Sequence, residues 1–126
     1  MMNGKQPKIS ILIPSLNVEK YVTQCIDSII NQTLSDIEII CIDAGSTDGT
    51  LDILTEYEKK DSRVKLVKSS KKSYGYQMNL GLTLATGEYV GIVETDDYVS
   101  ENMYECLYCL TENGTIDVVK GTFFHI

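Results

Sequence analysis

The sequence predicts an α/β fold in which a mostly parallel sheet carries helices on both faces. Short β-branched runs recur at 9–13, 37–42, 64–67, 89–93 and 116–124, and most of the stretches between them shift to the apolar period of a helix. Strand and helix alternating so regularly imply parallel strands joined by right-handed helical crossovers.

Each element has a local reason. The run ISILI at 9–13 is apolar on both sides and ends at Pro14, as a buried central strand does. From Asn17 the period changes. Val18, Tyr21, Val22, Cys25, Ile26, Ile29 and Ile30 form an amphipathic stripe, with Asn17 as its expected N-cap and Glu19 at the positive end of the dipole. IEIICI at 37–42 is a second buried strand, and the polar stretch Asp43 to Thr50 a loop. Leu51, Leu54 and Tyr57 mark a helix to about Lys60, and VKLV at 64–67 a third strand. After a polar connector, Tyr74 to Ala85 is expected as a helix with Met78, Leu82 and Ala85 inward, stopped by Gly87. Asn79 and Gly81 are assigned to tight packing on the sheet. Tyr89 to Val93 is a fourth strand, Glu101 to Thr111 a fourth helix and Ile116 to Phe124 a fifth strand.

At 126 residues the chain fits one domain, read as a polar segment at 1–8 and a folded part at 9–126. Its 43% hydrophobic and 23% charged residues are those of an ordinary soluble globular protein, which excludes disorder and fibrous classes. The net charge of -7, with Arg63 the only arginine, argues against a sequence-independent grip on nucleic acid, which needs excess cations. The first residues lack the apolar core of a secretion signal, and no apolar run is long enough to cross a bilayer. Cys25, Cys41, Cys106 and Cys109 are expected as free thiols in a reducing cytosol. With His125 the only histidine, Cys106 and Cys109 have too few companions for zinc.

In open parallel sheets, ligands bind beyond the carboxyl ends of the strands. Here those ends are Pro14 to Asn17, Asp43 to Thr47, Lys68 to Tyr74 and Glu94 to Asp97. Glu94, Asp96 and Asp97 crowd three carboxylates into four residues, which favours a hard divalent ion, Mg²⁺ or Mn²⁺, with positions open to substrate phosphates. The plain alternative is a solvated acidic turn. Asp43 offers acceptors for a base or sugar, and Gly45 and Gly49 permit close backbone approach, although Ser46, Thr47 and Asp48 also suit a simple turn and helix cap. Asp48 and Leu54 stand where an EF-hand needs glycine and glutamate, and no Walker A glycine-lysine pair is present. Lys68, Lys71 and Lys72 are candidates for phosphate contact, although exposed lysines are usually just solvated. Tyr74, Tyr76, Tyr89 and Tyr98 rank lower, as stacking partners for a ring.

Three ordered blocks, ISILIPSLNVEKYVTQCIDSIINQT, IEIICIDAGSTDGT and GYQMNLGLTLATGEYVGIVETDDYV, together resemble the nucleotide-sugar half of family 2 glycosyltransferases. The resemblance implies the glycosyltransferase A fold, a Rossmann-like sheet, here its N-terminal part. It implies that Pro14, Ser15, Asn17 and Asp43, with Gly45 and Ser46, line the nucleoside pocket. Glu94 and Asp96 would then meet the sugar-ribose side of the donor, Asp96 and Asp97 the metal, and Lys72 a phosphate. The wording of GYQMN and IVETDD resembles bacterial enzymes of surface-polysaccharide assembly. The implied activity is transfer of a sugar from a nucleotide donor, UDP in first place, to a saccharide or lipid-linked acceptor. The expected location is the cytoplasm, at the inner face of the membrane where the acceptor is lipid-linked.

Many members have Asp where this chain has Ala44, Arg where it has Met78 and Asp where it has Glu94. The longer Glu94 still reaches a ribose hydroxyl or a metal-bound water, whereas loss of charge at 44 bears on donor choice. The family's acceptor half and catalytic base are expected beyond residue 126, and the uncovered apolar FFHI suggests an end made by truncation. The rival reading is a degenerate transferase that only binds a partner. A signalling receiver is the weaker version of that rival, because Ser15 and Leu16 stand where its acidic pair belongs.

Overall fold

The computed structural model describes residues 6–95. Four strands, β1 (Ile9–Ser15), β2 (Ile37–Asp43), β3 (Val64–Lys68) and β4 (Tyr89–Ile92), alternate with helices α1 (Val22–Ile30), α2 (Thr50–Lys60) and α3 (Tyr74–Leu84). The sheet order is β3-β2-β1-β4, with every pairing parallel. The expected helix at 101–111 and strand at 116–124 lie outside the described residues, as do Asp96, Asp97, Tyr98, Cys106 and Cys109. No helix among the described residues is long and apolar enough to cross a membrane.

β1 and β2 are apolar on both sides because both of their faces are covered. Ile9, Ile11 and Ile13 of β1, with Ile37, Ile39 and Cys41 of β2, pack against α1 and Leu54 of α2. Leu12, Ile40 and Ile42 meet Met78 of α3 on the opposite face. Right-handed crossovers that step in opposite directions along a sheet must use opposite faces. The order accordingly reverses at β1, where β2 lies on one side and β4 on the other. Gly81 lets α3 approach closely: a Cβ there would come within 3.0 Å of both Ile42 Cδ1 and Leu12 Cδ1. Cys25 and Cys41 are buried thiols, the first with its Sγ directed to Glu94 O.

Several local expectations are corrected. α1 begins at Val22 rather than at Val18, and Asn17 is not its N-cap. Asn17 has φ 52, a left-handed backbone unlike the extended one of a capping residue. The chain then turns through Val18 to Tyr21, with Val18 O accepting from both Tyr21 N and Val22 N. In α3 the inward face is Gln77, Met78 and Gly81, so Leu82, next round the helix, is 52% exposed, and Asn79 is exposed too. Ala85 lies past the helix end, with extended backbone, yet still packs on the α3 side of the sheet. Gly87 does not end α3. It passes β1 so closely that a Cβ would fall 2.6 Å from Ser10 N, and its own N–H donates to Ser10 Oγ.

The amino-terminal end of the sheet is held by polar groups that have no part in the site. Arg63 donates to Asp61 and to the carbonyls of Ser35 and Ile30. Glu38, 3% exposed, accepts from Ser10 Oγ, Thr86 N, Thr86 Oγ1 and Lys65 Nζ. Burial alone would raise its carboxyl, but hydrogen bonds from Lys65, Ser10 and Thr86 outweigh it and hold the group below its ordinary value. A depressed carboxyl contributes stability above its unfolded pKa, about 4.3, and that stability is lost as pH falls through the folded value. Replacing Glu38 by Gln should therefore lower the unfolding free energy at pH 7 by about 2 kcal/mol and flatten the acid limb of stability against pH, read by urea denaturation from pH 7 to 3.

Candidate active site at the carboxyl ends of the strands

Ser15 and Asp43 are register partners and end β1 and β2 side by side. Asp43 is 1% exposed, and a buried carboxylate is costly unless its oxygens find donors. Its Oδ1 accepts from Ser15 Oγ at 2.9 Å and Ser46 Oγ at 2.6 Å. Its Oδ2 accepts from Gly45 N at 2.9 Å and Ser46 N at 2.8 Å. The turn closing on this carboxylate runs through Gly45 at φ 102, where a side chain would be strained. The Lys72 side chain covers Gly45, its Cε 3.6 Å from where a Cβ would stand.

The loop after β1 is laced to the loop after β2. Asn17 N donates to Ser46 Oγ, while Asn17 Oδ1 accepts from Thr47 N at 2.8 Å and Asp48 N at 3.3 Å. Val18 N donates to Thr50 Oγ1, and Glu19 Oε1 accepts from Gly49 N. Asn17 and Glu19 therefore serve the approach to α2 rather than the start of α1. Asp48 accepts from Thr50 Oγ1 and Thr50 N, and the Thr50 hydroxyl first of all holds its carboxyl below the usual range.

From the other face, Ser73 caps α3 by accepting from Tyr76 N, and one turn on, Gln77 Nε2 donates to Ile42 O and Ser15 O. β4 leaves the sheet beside β1, with Val93 N bonded to Leu12 O and Glu94 O accepting from Cys25 Sγ. Between these exits lies a cleft of about 420 Å³. Pro14, Ser15 and Leu16 line it from the end of β1, Val18 and Tyr21 from the approach to α1, Tyr74 and Gln77 from α3, and Glu94 and Thr95 from the segment after β4. It sits where the strand order reverses, and mostly apolar walls with a few polar groups suit a ring bearing polar substituents. Burial first, and then the Glu94 charge, push the Tyr74 phenol up.

Of the residues singled out from sequence, Pro14, Ser15, Tyr74 and Glu94 share this cleft. Asn17, Asp43, Gly45 and Ser46 form the hydrogen-bonded loop pair behind it, and Lys72 lies against that loop rather than in the cleft wall. Both Asp43 oxygens already accept two donors each, so a ligand would have to displace one. Lys71 sits over the Tyr76 ring, Nζ 5.2 Å from its centroid. No cluster of three or more His, Cys, Asp or Glu suited to a metal occurs among the described residues. Asp96 and Asp97 lie beyond them. Leu16 and Thr95 fall within the strand ends named from sequence, whereas sequence reasoning missed Val18, Tyr21 and Gln77 as lining residues. Only Gln77 left a signal there, four residues before Gly81 and so on the same helix face.

Such a cleft at the switch point of a parallel sheet is where open α/β folds take their ligands. The chain belongs to glycosyl transferase family 2, which it matches over residues 10–126. It is 38% identical over 118 residues to the uncharacterized glycosyltransferase EpsJ of Bacillus subtilis, covering 94% of this chain and 34% of EpsJ. S. aureus TarS 1-349, solved with UDP and also with UDP-GlcNAc, superposes with a TM-score of 0.77 at 29–30% identity over 83% of this chain and about a third of TarS 1-349. The mannosyltransferase PcManGT of Pyrobaculum calidifontis, solved with GDP-Man and Mn²⁺, shares the fold at 24% identity and a TM-score of 0.68, over 76% of this chain and 29% of its own. The chain thus spans about a third of the length of these proteins.

Two substitutions test the loop. Gly45→Ala should cost about 1–3 kcal/mol through its left-handed backbone, measured by chemical denaturation. Asp43→Asn turns an amide NH₂ toward existing donors and should cost about 2 kcal/mol in the same assay. Wild-type stability in Gly45→Ala would show that this position does not need glycine's backbone freedom, and in Asp43→Asn that the turn does not depend on the carboxylate.

Proposed function

We propose that residues 9–126 are the donor-binding part of a glycosyltransferase that takes a sugar from a UDP-sugar to a saccharide or lipid-linked acceptor in cell-surface polysaccharide synthesis, in the cytoplasm or at the inner face of the membrane. What supports this most is the cleft itself, placed at the β1/β4 switch point and opening onto Glu94. UDP complexes of the similar TarS favour a uridine donor. Pro14, Leu16 and Tyr74 offer faces for the base. The loop held on Asp43 fixes where the backbone of Gly45 and Ser46 meets the ligand. Lys72, exposed beside that loop, supplies positive charge for the diphosphate.

The oxygen donors of Glu94, Asp96 and Asp97 suit a hard divalent ion, and Glu94 stands at the cleft, past the end of β4 and two residues before the first of the aspartates. Asp96 and Asp97 would hold Mg²⁺ or Mn²⁺, with Glu94 and Asp96 turned toward the sugar-ribose side. When bound, such an ion supplies Lewis-acid stabilisation of the departing diphosphate. The chain's own residues bind and orient: Pro14, Leu16 and Tyr74 meet the base, and the Asp43 loop positions the nucleoside. The base that takes the acceptor proton is assigned beyond residue 126, so this chain alone should bind donor and turn over little. Calorimetry should show UDP binding at least tenfold tighter with Mn²⁺ than without, and Asp97→Ala should abolish that gain. Metal-independent binding, or an unchanged Asp97→Ala, would remove the assigned role.

A further inference from the structure

Gln77 is 6% exposed, and its amide orientation is dictated by the strands beneath it. Nε2 donates to Ile42 O at 2.8 Å and to Ser15 O at 3.3 Å. Both partners are acceptors, so the end of the amide that meets them must be the NH₂. Oε1 is thereby turned away from those carbonyls, and among the described residues no donor is bonded to it. Gln77 also lines the cleft, whose other walls include Pro14, Leu16, Tyr21 and Tyr74. An amide oxygen held in place without a donor is an acceptor offered to whatever fills the space.

The neighbouring acceptors are already taken. Both Asp43 oxygens serve the loop, and position 44, beside it, is a buried alanine with no polar side chain. Resting on the donor-site reading above, we propose that Gln77 is a specificity-determining residue whose Oε1 accepts a hydrogen bond from a ring N–H of the bound nucleobase. The acceptor cannot be exchanged for a donor by rotating the amide, because that would face oxygen to the two strand carbonyls. The site therefore selects a base with an imide N–H, such as uracil at N3. It disfavours one with a lone pair there, such as cytosine, since a site built to hydrogen-bond a group rejects an analogue that lacks it.

The test compares UDP with N3-methyl-UDP by calorimetry on the whole chain, wild type and Gln77→Met. Wild type should bind UDP about tenfold more tightly than the methylated form, and Gln77→Met, similar in length but without the amide, should lose most of that preference. Wild type also gives a reading independent of any variant: the ¹⁵N–¹H side-chain signals of Gln77 should shift on adding UDP and stay in place with N3-methyl-UDP. Equal wild-type affinity for the two ligands, a folded Gln77→Met that keeps the full preference, or Gln77 signals unmoved by UDP overturns the assignment. A chain that binds no UDP at all overturns the donor-site reading, and this role with it.

Discussion

A carboxylate sealed at the end of a central strand governs the geometry of this protein's carboxyl edge. Asp43 has almost no contact with solvent, and its cost is offset only because the chain turns back to deliver two backbone N–H groups and two hydroxyls to it. One of those hydroxyls, Ser15 Oγ, belongs to the neighbouring strand, so the same carboxylate sets the relative position of two loops. Asn17 completes the link from the other side by accepting the N–H groups of Thr47 and Asp48. The loops at the cleft are consequently a hydrogen-bonded unit rather than two independent segments.

The sheet divides its labour along β2. At one end Glu38 and, nearby, Arg63 join strand to loop with charge-assisted bonds, at the opposite end of the strands from the cleft described above. At the other end Asp43 shapes a surface that a ligand can meet. The position of the cleft follows from topology: with α1 and α2 on one face and α3 on the other, the crossovers diverge beside β1 and leave the space between β1 and β4 uncovered. Gly81 strengthens this by letting α3 lie close to Leu12 and Ile42, which brings Gln77 down onto the strand ends.

Strands β1 to β4 were legible in the sequence to within two residues, the largest difference being that β1 runs on through Pro14 to Ser15, and β1 and β2, buried on both faces, show as unbroken β-branched runs. The α1 start was not, since the Val18–Tyr21 stretch keeps a helical apolar spacing while Asn17 holds a left-handed backbone that local pattern does not reveal. For the same reason Asn17 was read as capping the helix that follows it, when its side chain reaches some thirty residues along the chain. The loop after β2 was recognised as a site element from its residue types. That Asp43 points inward was not recognisable, because a loop carboxylate looks identical in sequence whether it meets solvent, ligand or backbone. Gln77 escaped notice because apolar periodicity marks Met78 and Leu82 and says nothing of a polar side chain that finds partners in strand carbonyls.

Hydrogen exchange on the ligand-free chain tests the central claim most directly, at the backbone amides of Gly45, Ser46, Thr47 and Asp48. If the loops form one unit organised on Asp43 and Asn17, these amides exchange slowly, in step with the end of the β2 ladder. If they exchange at the rate of an open loop while β2 itself stays protected, the unit does not exist and the site is not preformed.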